Sequence, residues 1–272
     1  SLSNAVRDLE REMGIDIFIR NPKGITLTKD GVEFLSYARQ VVEQTNLLEE
    51  RYKSHTETRE LFSVSSQHYA FVVNAFVSLL KRADMTRYEL FLRETRTYEI
   101  IEDVKNFRSE IGVLFLNGYN RDVLTKMFDD NRLTYTSLFK ARPHIFVSKS
   151  NPLAKHKVVS LEDLEDFPYL SYDQGIHNSF YYSEEILSQI PHKKSIVVSD
   201  RATLFNLLIG LDGYTIATGI LNSNLNGDNI VSIPLDVDDE IDIVYLKHEK
   251  ATLSKMGEKF LDNLVKEVTF DD

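Results

Sequence analysis

The chain has 272 residues, a formal net charge of -10 and 42% hydrophobic residues, which is enough for two or three domains with apolar cores. The acidic balance argues against a protein that coats nucleic acid, although specific DNA binding by one small module is compatible with it. The chain contains no cysteine, which excludes disulfides, thiolate metal sites and thiol-based redox switches.

The first 28 residues predict a helix, a strand, a basic turn and a second strand, an order typical of a winged helix. Apolar residues at helical spacing indicate the helix, namely Leu2, Val6, Leu9 and Met13. Gly14 predicts its end, and the two strands are predicted at Ile15–Ile19 and Ile25–Leu27. The other face of the helix carries short polar side chains and arginines, which suit a helix in a DNA major groove. An ordinary amphipathic surface helix would show the same pattern.

A long helix is predicted from Lys29 to about residue 56, because this stretch has no proline and its only glycine, Gly31, lies in the first turn. Thr28 is predicted to be its N-cap. The helix carries a stripe of residues at three- and four-residue spacing, namely Leu35, Ala38, Val42, Thr45 and Leu48. This stripe needs a partner surface, either on a second copy of the chain or on the chain's own domain. The polar residues 54–60 predict a hinge.

Beyond the hinge, strands and helices alternate as in an α/β domain. Two similar halves follow each other, and the second interrupts the first, because a strand at Ile241–Lys247 and a helix at Leu253–Val268 return after it. This order predicts two lobes joined by crossing strands, with a cleft between them. In the second lobe Phe180–Leu187 is predicted to be a helix, and Glu184 and Glu185 are predicted to be solvated.

Polar residues at strand ends are the candidate ligand-binding residues, since ligands of open α/β sheets bind beyond the carboxyl ends of strands, near helix N-termini. One cluster contains Ser65, Ser66 and Gln67, and a second contains Asp200, Thr203 and Thr218. Further candidates are Thr95, Asn117 and Tyr172. The alternative interpretation is structural: Ser66 or Gln67 caps a helix, and Asp200 and Arg201 cap a helix or bridge the lobes.

The sequence offers no catalytic or metal-binding pattern. It lacks GxSxG, GxxxxGK[ST] and GxGxxG strings, and its seven histidines include no HxxxH or HExxH pair. We therefore expect no enzymatic activity, no metal and no cofactor. No apolar run reaches the ~18 residues that span a bilayer, and no signal sequence opens the chain, which favours a cytoplasmic protein without a membrane partner.

The string LSNAVRDLEREMGIDIFIRNPKGITLTKDG resembles the recognition helix and wing of LysR-type transcriptional regulators, whose pattern is roughly LSxxIxxLExxLGxxLFxRxxxxxxLTxxG. The matching positions are Leu2, Ser3, Leu9, Glu10, Gly14, Phe18, Arg20, Leu27, Thr28 and Gly31. The resemblance implies that Ser3, Asn4 and Arg7 face a DNA groove, and that Arg20, Asn21 and Lys23 on the wing contact the DNA backbone or minor groove. Because the family's first two helices would precede this segment, we expect a chain truncated within its winged helix-turn-helix domain that binds DNA poorly as it stands.

The strings SNPLAKHKVVSLEDLEDFPYL and SDRATLFNLLIGLDGYTIATG resemble segments of the LysR effector domain, a relative of periplasmic solute-binding proteins. The implied fold is α/β: a two-lobed periplasmic-binding-protein-like (type 2) effector domain preceded by a partial winged helix-turn-helix and a long linker helix. The implied domains are 1–28 for DNA binding, 29–57 for the linker or dimerisation helix and hinge, 58–140 with 242–272 for one lobe, and 141–241 for the other.

The resemblance implies a homo-oligomeric regulator, a dimer or tetramer, that binds promoter DNA when intact and takes a small polar metabolite as co-inducer. Within the family, SSQHY and SDRATLFNLL resemble a Gram-positive subgroup linked to methionine and cysteine supply, so an amino acid or a precursor in sulfur amino-acid metabolism is one expected effector. The alternative is a solute-binding protein of a transporter with no DNA-binding role. That alternative explains the two lobes but not the winged-helix string or the long apolar helix.

Overall fold

A computed structural model describes residues 2–22, 24–53, 60–82, 87–221 and 228–269 of the chain. The chain divides into two compact units, Ser1–Arg59 and Glu60–Asp272. Within the described ranges, no helix combines the length and the apolar character needed to cross a membrane.

The first unit has the predicted order of helix, strand, turn and strand, followed by the predicted long helix. Its elements are α1 (Leu2–Met13), β1 (Phe18–Asn21), β2 (Gly24–Leu27) and α2 (Lys29–Lys53). The two strands form an antiparallel hairpin. Gly14 ends α1 with a φ of 68°, a left-handed conformation that glycine adopts at little cost.

The side chain of Glu10 ties α1 to the hairpin. Its carboxylate accepts the backbone N–H groups of Ile17 and Phe18 at 2.9 and 3.1 Å. These N–H groups are therefore used by a side chain, and β1 begins three residues later than predicted, at Phe18. Ile17 is buried beside this contact.

The start of α2 packs closely on the same segment. Thr28 is the N-cap, as predicted: its Oγ1 accepts the backbone N–H of Gly31 at 2.7 Å. A Cβ at Gly31 would lie 2.1 Å from the carbonyl oxygen of Ile17, so the close approach requires glycine.

The apolar stripe of α2 is exposed over its later part. Val42 and Leu48 are 59 and 58% exposed, whereas Leu35 and Ala38 nearer the start of the helix are half-buried. The predicted hinge falls mainly on residues 54–59, which lie outside the described residues.

The second unit contains two five-stranded sheets. In the first, of order β4-β3-β5-β12-β6, strands β3, β4 and β5 are parallel and β12 runs antiparallel to both β5 and β6. We call this sheet and its helices lobe 1. Its elements are β3 (Glu60–Ser66), α3 (Ala70–Arg82), β4 (Tyr88–Glu94), α4 (Thr97–Lys105), β5 (Ile111–Leu116), α5 (Arg121–Asp130), β6 (Leu133–Ala141), β12 (Ile241–His248) and α7 (Lys255–Thr269).

The second sheet is inserted in the chain between β6 and β12, and with its helix it forms lobe 2. Its strand order is β11-β7-β10-β8-β9, with β8 parallel to β9 and β10. Its elements are β7 (His144–Ser148), β8 (Tyr169–Tyr172), β9 (Ser195–Val198), α6 (Arg201–Leu211), β10 (Tyr214–Ala217) and β11 (Ile230–Pro234). The predicted two-lobed α/β fold is confirmed.

The two lobes share one buried apolar cluster. It contains Phe71 and Val113 from lobe 1 together with Ile145 and Ile216 from lobe 2. Strand β5 is buried along its whole length, as expected for an apolar strand covered on both faces. The lobes therefore pack against each other at the edge where the candidate residues lie.

Two elements of the second unit were missed and two predictions for it were wrong. Helix α5 and strand β11 were not predicted, and Phe180–Leu187 is not a helix: it holds one short 3-10 turn at Phe180–Tyr182. After that turn Glu184, Glu185 and Ile186 are all buried, at 8, 3 and 2% exposure. Three consecutive buried residues do not share one helix face, so the segment is irregular, and the expectation that both glutamates are solvated is wrong.

Candidate functional site

A cavity of about 50 Å³ lies between the lobes. At roughly 10–15 Å³ for each water-sized group, it has room for about four such groups. Its wall is mainly apolar, with polar groups from both lobes. The residues that line it are His68, Tyr69, Ala70, Phe71, Phe115, Phe146, Tyr172, Glu184, Glu185, Ile186, Arg201, Leu204, Phe205, Thr215, Ile216, Ala217, Thr218, Ile220 and Ile241.

His68 of lobe 1 and Glu184 of lobe 2 form the central contact across the cavity. Glu184 Oε2 accepts the backbone N–H of His68 at 2.8 Å and lies 2.9 Å from its ring Nδ1. The two side chains are only 8 and 3% exposed. Burial lowers the pKa of His68, but the hydrogen bond and charge of Glu184, with the charge of Glu94, outweigh burial and raise the pKa above 6.5. The contact is therefore a buried hydrogen bond between the lobes, which protonation of His68 strengthens.

Gln174 extends this contact to a second element of lobe 1. Its Nε2 donates to Glu184 Oε1 at 3.0 Å, and its Oε1 accepts the backbone N–H of Thr97 at 3.1 Å. Thr97 is the first residue of α4, whose N–H groups need partners outside the helix. Glu184 thus receives three hydrogen bonds and links the starts of two helices.

Two further ion pairs join the lobes. Arg201, the first residue of α6, lies 3.3 Å from Glu94 Oε1 at the end of β4. Glu94 Oε1 makes no hydrogen bond within the described part of the chain, so this contact is mainly coulombic. Burial raises the pKa of Glu94 more than the charges of Arg201 and His68 lower it. Nearer the surface, Arg96 pairs with Asp173 at 2.6 Å.

Glu185 differs from these groups because no cation among the described residues is recorded beside it. Its Oε1 accepts the backbone N–H of Tyr172 at 2.8 Å, while its Oε2 makes no hydrogen bond within the described ranges. Burial, followed by the charge of Glu184, raises the pKa of Glu185 well above 4.5. Burial therefore disfavours the charged form of the Glu185 carboxyl group.

Two of the nine predicted ligand-binding residues, Tyr172 and Thr218, line the cavity. The ring of Tyr172 stacks on His68 with centroids 4.0 Å apart, so it holds the imidazole in place. Thr218 is 7% exposed and lies just after β10. Its Oγ1 accepts the Ile220 N–H at 3.4 Å, a long contact that leaves the hydroxyl free to donate.

The cluster at the end of β3 is placed differently from the prediction. Ser65 bonds Asp103 at 2.6 Å and Ser109 at 2.7 Å. The Gln67 amide donates to Thr97 Oγ1 at 2.6 Å and accepts from Tyr69 and the Phe115 N–H. None of Ser65, Ser66 and Gln67 lines the cavity, and the polar atoms of Ser65 and Gln67 are used within lobe 1. The ligand-binding role of these three residues stays a prediction, and the structure does not bring them to the cavity wall.

The other predicted positions also bond to the protein itself. Asp200 accepts the Thr203 backbone N–H at 2.8 Å and its hydroxyl at 2.7 Å, so it is the N-cap of α6 and Thr203 completes the cap. Thr95 donates to Glu99, and Asn117 Nδ2 donates to Asp239 at 3.1 Å. None of the four is a cavity residue. These contacts agree with the alternative interpretation of the sequence, in which Asp200 caps a helix and Arg201 bridges the lobes.

Sequence reasoning missed His68, Glu184 and Glu185 as cavity residues. The position of His68 directly after a polar strand end was a usable signal. Glu184 and Glu185 carry no such signal, because an irregular segment brings them inward from far along the chain. Among the described residues, no group of three potential ligands is placed to hold a metal ion.

The predicted DNA-contacting residues lie in the first unit. Ser3, Asn4 and Arg7 are exposed at a spacing that places them on one face of α1. The Arg20 guanidinium lies 3.6 Å from Glu10, so it is already ion-paired. Asn21 is exposed at the end of β1, and Lys23 lies outside the described residues.

Solved structures share the fold of this chain. A full-length OxyR variant from Pseudomonas aeruginosa is 16% identical with a TM-score of 0.54, over 97% of this chain and 89% of that chain. An OxyR mutant from Corynebacterium glutamicum is 15% identical with a TM-score of 0.57, over 98 and 82%. At this identity the likeness concerns the fold, a two-lobed domain of the periplasmic-binding-protein type 2 class.

Curated relatives are transcriptional regulators. The uncharacterized HTH-type transcriptional regulator YvbU of Bacillus subtilis is 25% identical over 66% of this chain and 59% of its own length. The transcriptional dual regulator GltC of the same organism is 26% identical over 64% of this chain and 56% of its own length. The match thus spans little more than half of these relatives. Residues 65–269 match the LysR substrate binding domain, which covers most of the chain, and the chain therefore belongs to the LysR family.

Proposed function

We propose that the chain is part of a transcription regulator in which a small polar metabolite binds the cavity between the lobes and changes how the protein acts at promoter DNA. The observation that carries this proposal is the meeting of His68, Glu184 and Arg201 around one cavity, each of them in a contact between the lobes. A ligand there competes with or adds to the contacts that hold the lobes together. The ligand therefore shifts the equilibrium between an open and a closed arrangement of the lobes. The size of the shift equals the difference in its binding free energy for the two arrangements.

The site of this proposal is smaller than the predicted one. We assign ligand contacts to Tyr172 and Thr218 from the prediction and add His68, Glu185 and Arg201. An amino acid or a precursor in sulfur amino-acid metabolism remains our candidate effector, since such molecules combine few atoms with charged or polar groups. The transporter alternative is not favoured, because the matched relatives are regulators and the first unit has a wing and a long helix.

We assign DNA binding and self-association of the proposed regulator to the first unit. We propose that Ser3, Asn4 and Arg7 contact DNA bases and phosphates, with Arg20, Asn21 and Lys23 as wing contacts.

We also propose that the exposed stripe of α2 pairs with a second copy, since apolar side chains in a helical row are covered in stable assemblies. Val42→Lys should then lower the dimer fraction in sedimentation, whereas the exposed change Arg39→Lys should not.

A thermal-shift screen tests ligand binding. Amino acids and their biosynthetic precursors are added to the chain, and a ligand present at about 100 times its Kd stabilises the folded state by about 2.7 kcal/mol. Thr218→Val removes one cavity hydroxyl and should weaken that stabilisation, while Thr136→Val, on the exposed side of β6, should leave it unchanged.

The functional conclusion is then tested in the full-length regulator. The same hit should change affinity for its promoter DNA, measured by fluorescence anisotropy, and Thr218→Val should reduce that change. A hit that stabilises both threonine variants equally, or that never alters DNA binding, would overturn the proposal.

A further inference from the structure

The segment between β8 and the buried Glu185 is a loop whose two ends are tied together. Glu185 Oε1 accepts the backbone N–H of Tyr172, the last residue of β8, at 2.8 Å. Between these ends the chain forms neither a strand nor an α-helix, only the 3-10 turn at Phe180–Tyr182. Compact surface loops of about 6–16 residues whose ends lie close together often carry function. We call residues 173–185 the strap.

The strap starts and ends in lobe 2, but its first residues lie against lobe 1. Arg96 donates to the backbone oxygen of Asp173 at 3.1 Å and to its carboxylate at 2.6 Å. Gln174 accepts the Thr97 N–H at 3.1 Å. The backbone then passes so close to the guanidinium that a Cβ at Gly175 would lie 2.7 Å from Arg96 Nη1. This part of the strap therefore packs on the start of α4.

Ring contacts hold the middle of the strap on the same lobe. His177 stacks on Tyr98 of α4 with ring centroids 3.5 Å apart, and Tyr182 packs edge-on against Tyr98 at 6.0 Å. Tyr181 stacks on Tyr119, which follows β5, at 4.8 Å. Among the described residues, each recorded hydrogen bond between the strap and lobe 1 uses a side chain, and none joins backbone to backbone.

The last residues of the strap close the cavity. Glu184 and Glu185 form part of its wall, and Glu184 holds the backbone N–H and the ring of His68 at 2.8 and 2.9 Å. The His68 side chain is only 8% exposed. While these contacts are made, the volume of about 50 Å³ holds about four water-sized groups, which is fewer than the non-hydrogen atoms of an amino acid. An effector of that class therefore enters only if part of the wall moves.

We propose that the strap is a gate, which opens as one unit while both sheets stay folded and thereby exposes His68 and the cavity. Loops open locally at a lower free energy than core strands and helices, and the strap is the irregular part of the wall held on lobe 1 by side chains. The inference rests on the proposed function, because it names the route by which an effector reaches the cavity.

Chemical modification of His68 measures the opening without any ligand. Diethyl pyrocarbonate modifies accessible neutral imidazoles, and about pH 8 is above the ordinary histidine pKa. Peptide mass spectrometry separates the rate at His68 from the rate at His156, which is exposed. In the unmodified sequence His68 should react at least about tenfold more slowly than His156, since it reacts only when the strap is open.

Tyr98→Ala loosens the strap at a distance from the cavity. Tyr98 is half-buried and does not line the cavity, and alanine favours the helix that carries it. Loss of its two ring contacts should speed His68 modification at least about fivefold. The Ser183 backbone N–H, bonded to Phe180 at 3.3 Å, should exchange with solvent faster, while exchange in β5 stays unchanged.

Two further variants complete the test. His177→Ala removes the same stack from the strap side and should also speed His68 modification, so the reasoning does not depend on one substitution in α4. The matched control is Tyr88→Ala, which removes a tyrosine of lobe 1 that is 53% exposed and lies outside the contacts of the strap. It should change neither the His68 rate nor the Ser183 exchange.

Three results would overturn the inference. His68 could react as fast as His156 in the unmodified sequence, which would mean that the strap does not cover it. Tyr98→Ala could speed modification of His177 alone, which would mean that the strap does not open as a unit. It could also speed exchange in β5 as much as at Ser183, which would mean that the whole lobe unfolds. The metabolite screen tests the proposed function separately, because no effector is used here.

Discussion

Replacing Glu184 with alanine is expected to weaken the junction between the lobes more than any surface substitution. The carboxylate is 3% exposed and accepts from the His68 backbone at 2.8 Å, the His68 ring at 2.9 Å and Gln174 at 3.0 Å. Alanine leaves three donors without their acceptor, namely the His68 backbone N–H, the His68 ring and the Gln174 amide.

The magnitude follows from burial. Removing one partner of a buried, hydrogen-bonded pair costs about 3–5 kcal/mol, because the donors that it served stay buried without an acceptor. For a unit of this size, 1 kcal/mol corresponds to a Tm change of roughly 2–4 °C, so the expected loss is about 6–20 °C. Glu184→Gln keeps one acceptor and the side-chain shape, and should lose less.

Urea unfolding followed by circular dichroism measures the loss, and hydrogen exchange locates it. The Thr97 backbone N–H should exchange faster in Glu184→Ala, because its acceptor Gln174 is no longer held. Glu165→Ala is the matched control: it also removes a carboxylate from an ion pair, with Lys193 at 2.5 Å, but both groups are more than half exposed. Equal effects of the two substitutions on stability and on Thr97 exchange would refute the reasoning.

Other substitutions have equally specific outcomes. Glu185→Gln should match the wild-type free energy of unfolding below pH 4.5, the ordinary pKa of a glutamate, and exceed it increasingly as pH rises. Because the pKa of Glu185 is raised in the folded chain, the wild-type free energy of unfolding falls as pH rises from 4.5 towards that raised pKa. Urea titrations of both proteins at several pH values that show no divergence would contradict this. Gly31→Ala forces a Cβ to within 2.1 Å of the Ile17 oxygen and should destabilise the first unit by about 1–3 kcal/mol, measured by urea unfolding and limited proteolysis. Gly210→Ala, with no atom within 4 Å of the added Cβ, should instead stabilise α6 by up to about 1 kcal/mol; a loss there would show that open space is not the deciding factor. Thr28→Ala should cost about 1 kcal/mol as a lost N-cap, and no change in the same unfolding assay would contradict the cap.

Local chemistry made the first unit predictable from sequence. Gly14, Thr28 and Gly31 each carry a conformational or capping preference that acts within a few residues. The hairpin and both helices were therefore found, and the start of β1 was the boundary that shifted most, where the Glu10 carboxylate accepts the backbone N–H of Ile17.

The candidate site was only partly predictable. The rule that ligands lie beyond strand ends led to the edge of the sheets where the cavity lies, and to its lining residues Tyr172 and Thr218. It could not tell which polar groups the protein would use for itself, so Ser65 and Gln67, both bonded within lobe 1, were included with the cavity residues.

The order of apolar, polar and turn residues along the chain by itself determined the wing, the long helix and the two α/β lobes, because helix and strand periodicity and capping act over short distances. Which side chains lie inside the cleft is determined only by the tertiary structure. Glu184 and Glu185 lie in an irregular segment with no periodicity to reveal their direction, and their burial depends on donors more than 100 residues away at His68 and on neighbours such as the Tyr172 backbone. Which carboxylate is paired with a basic side chain across the lobes, and which is not, is a property of contacts made only in the folded chain.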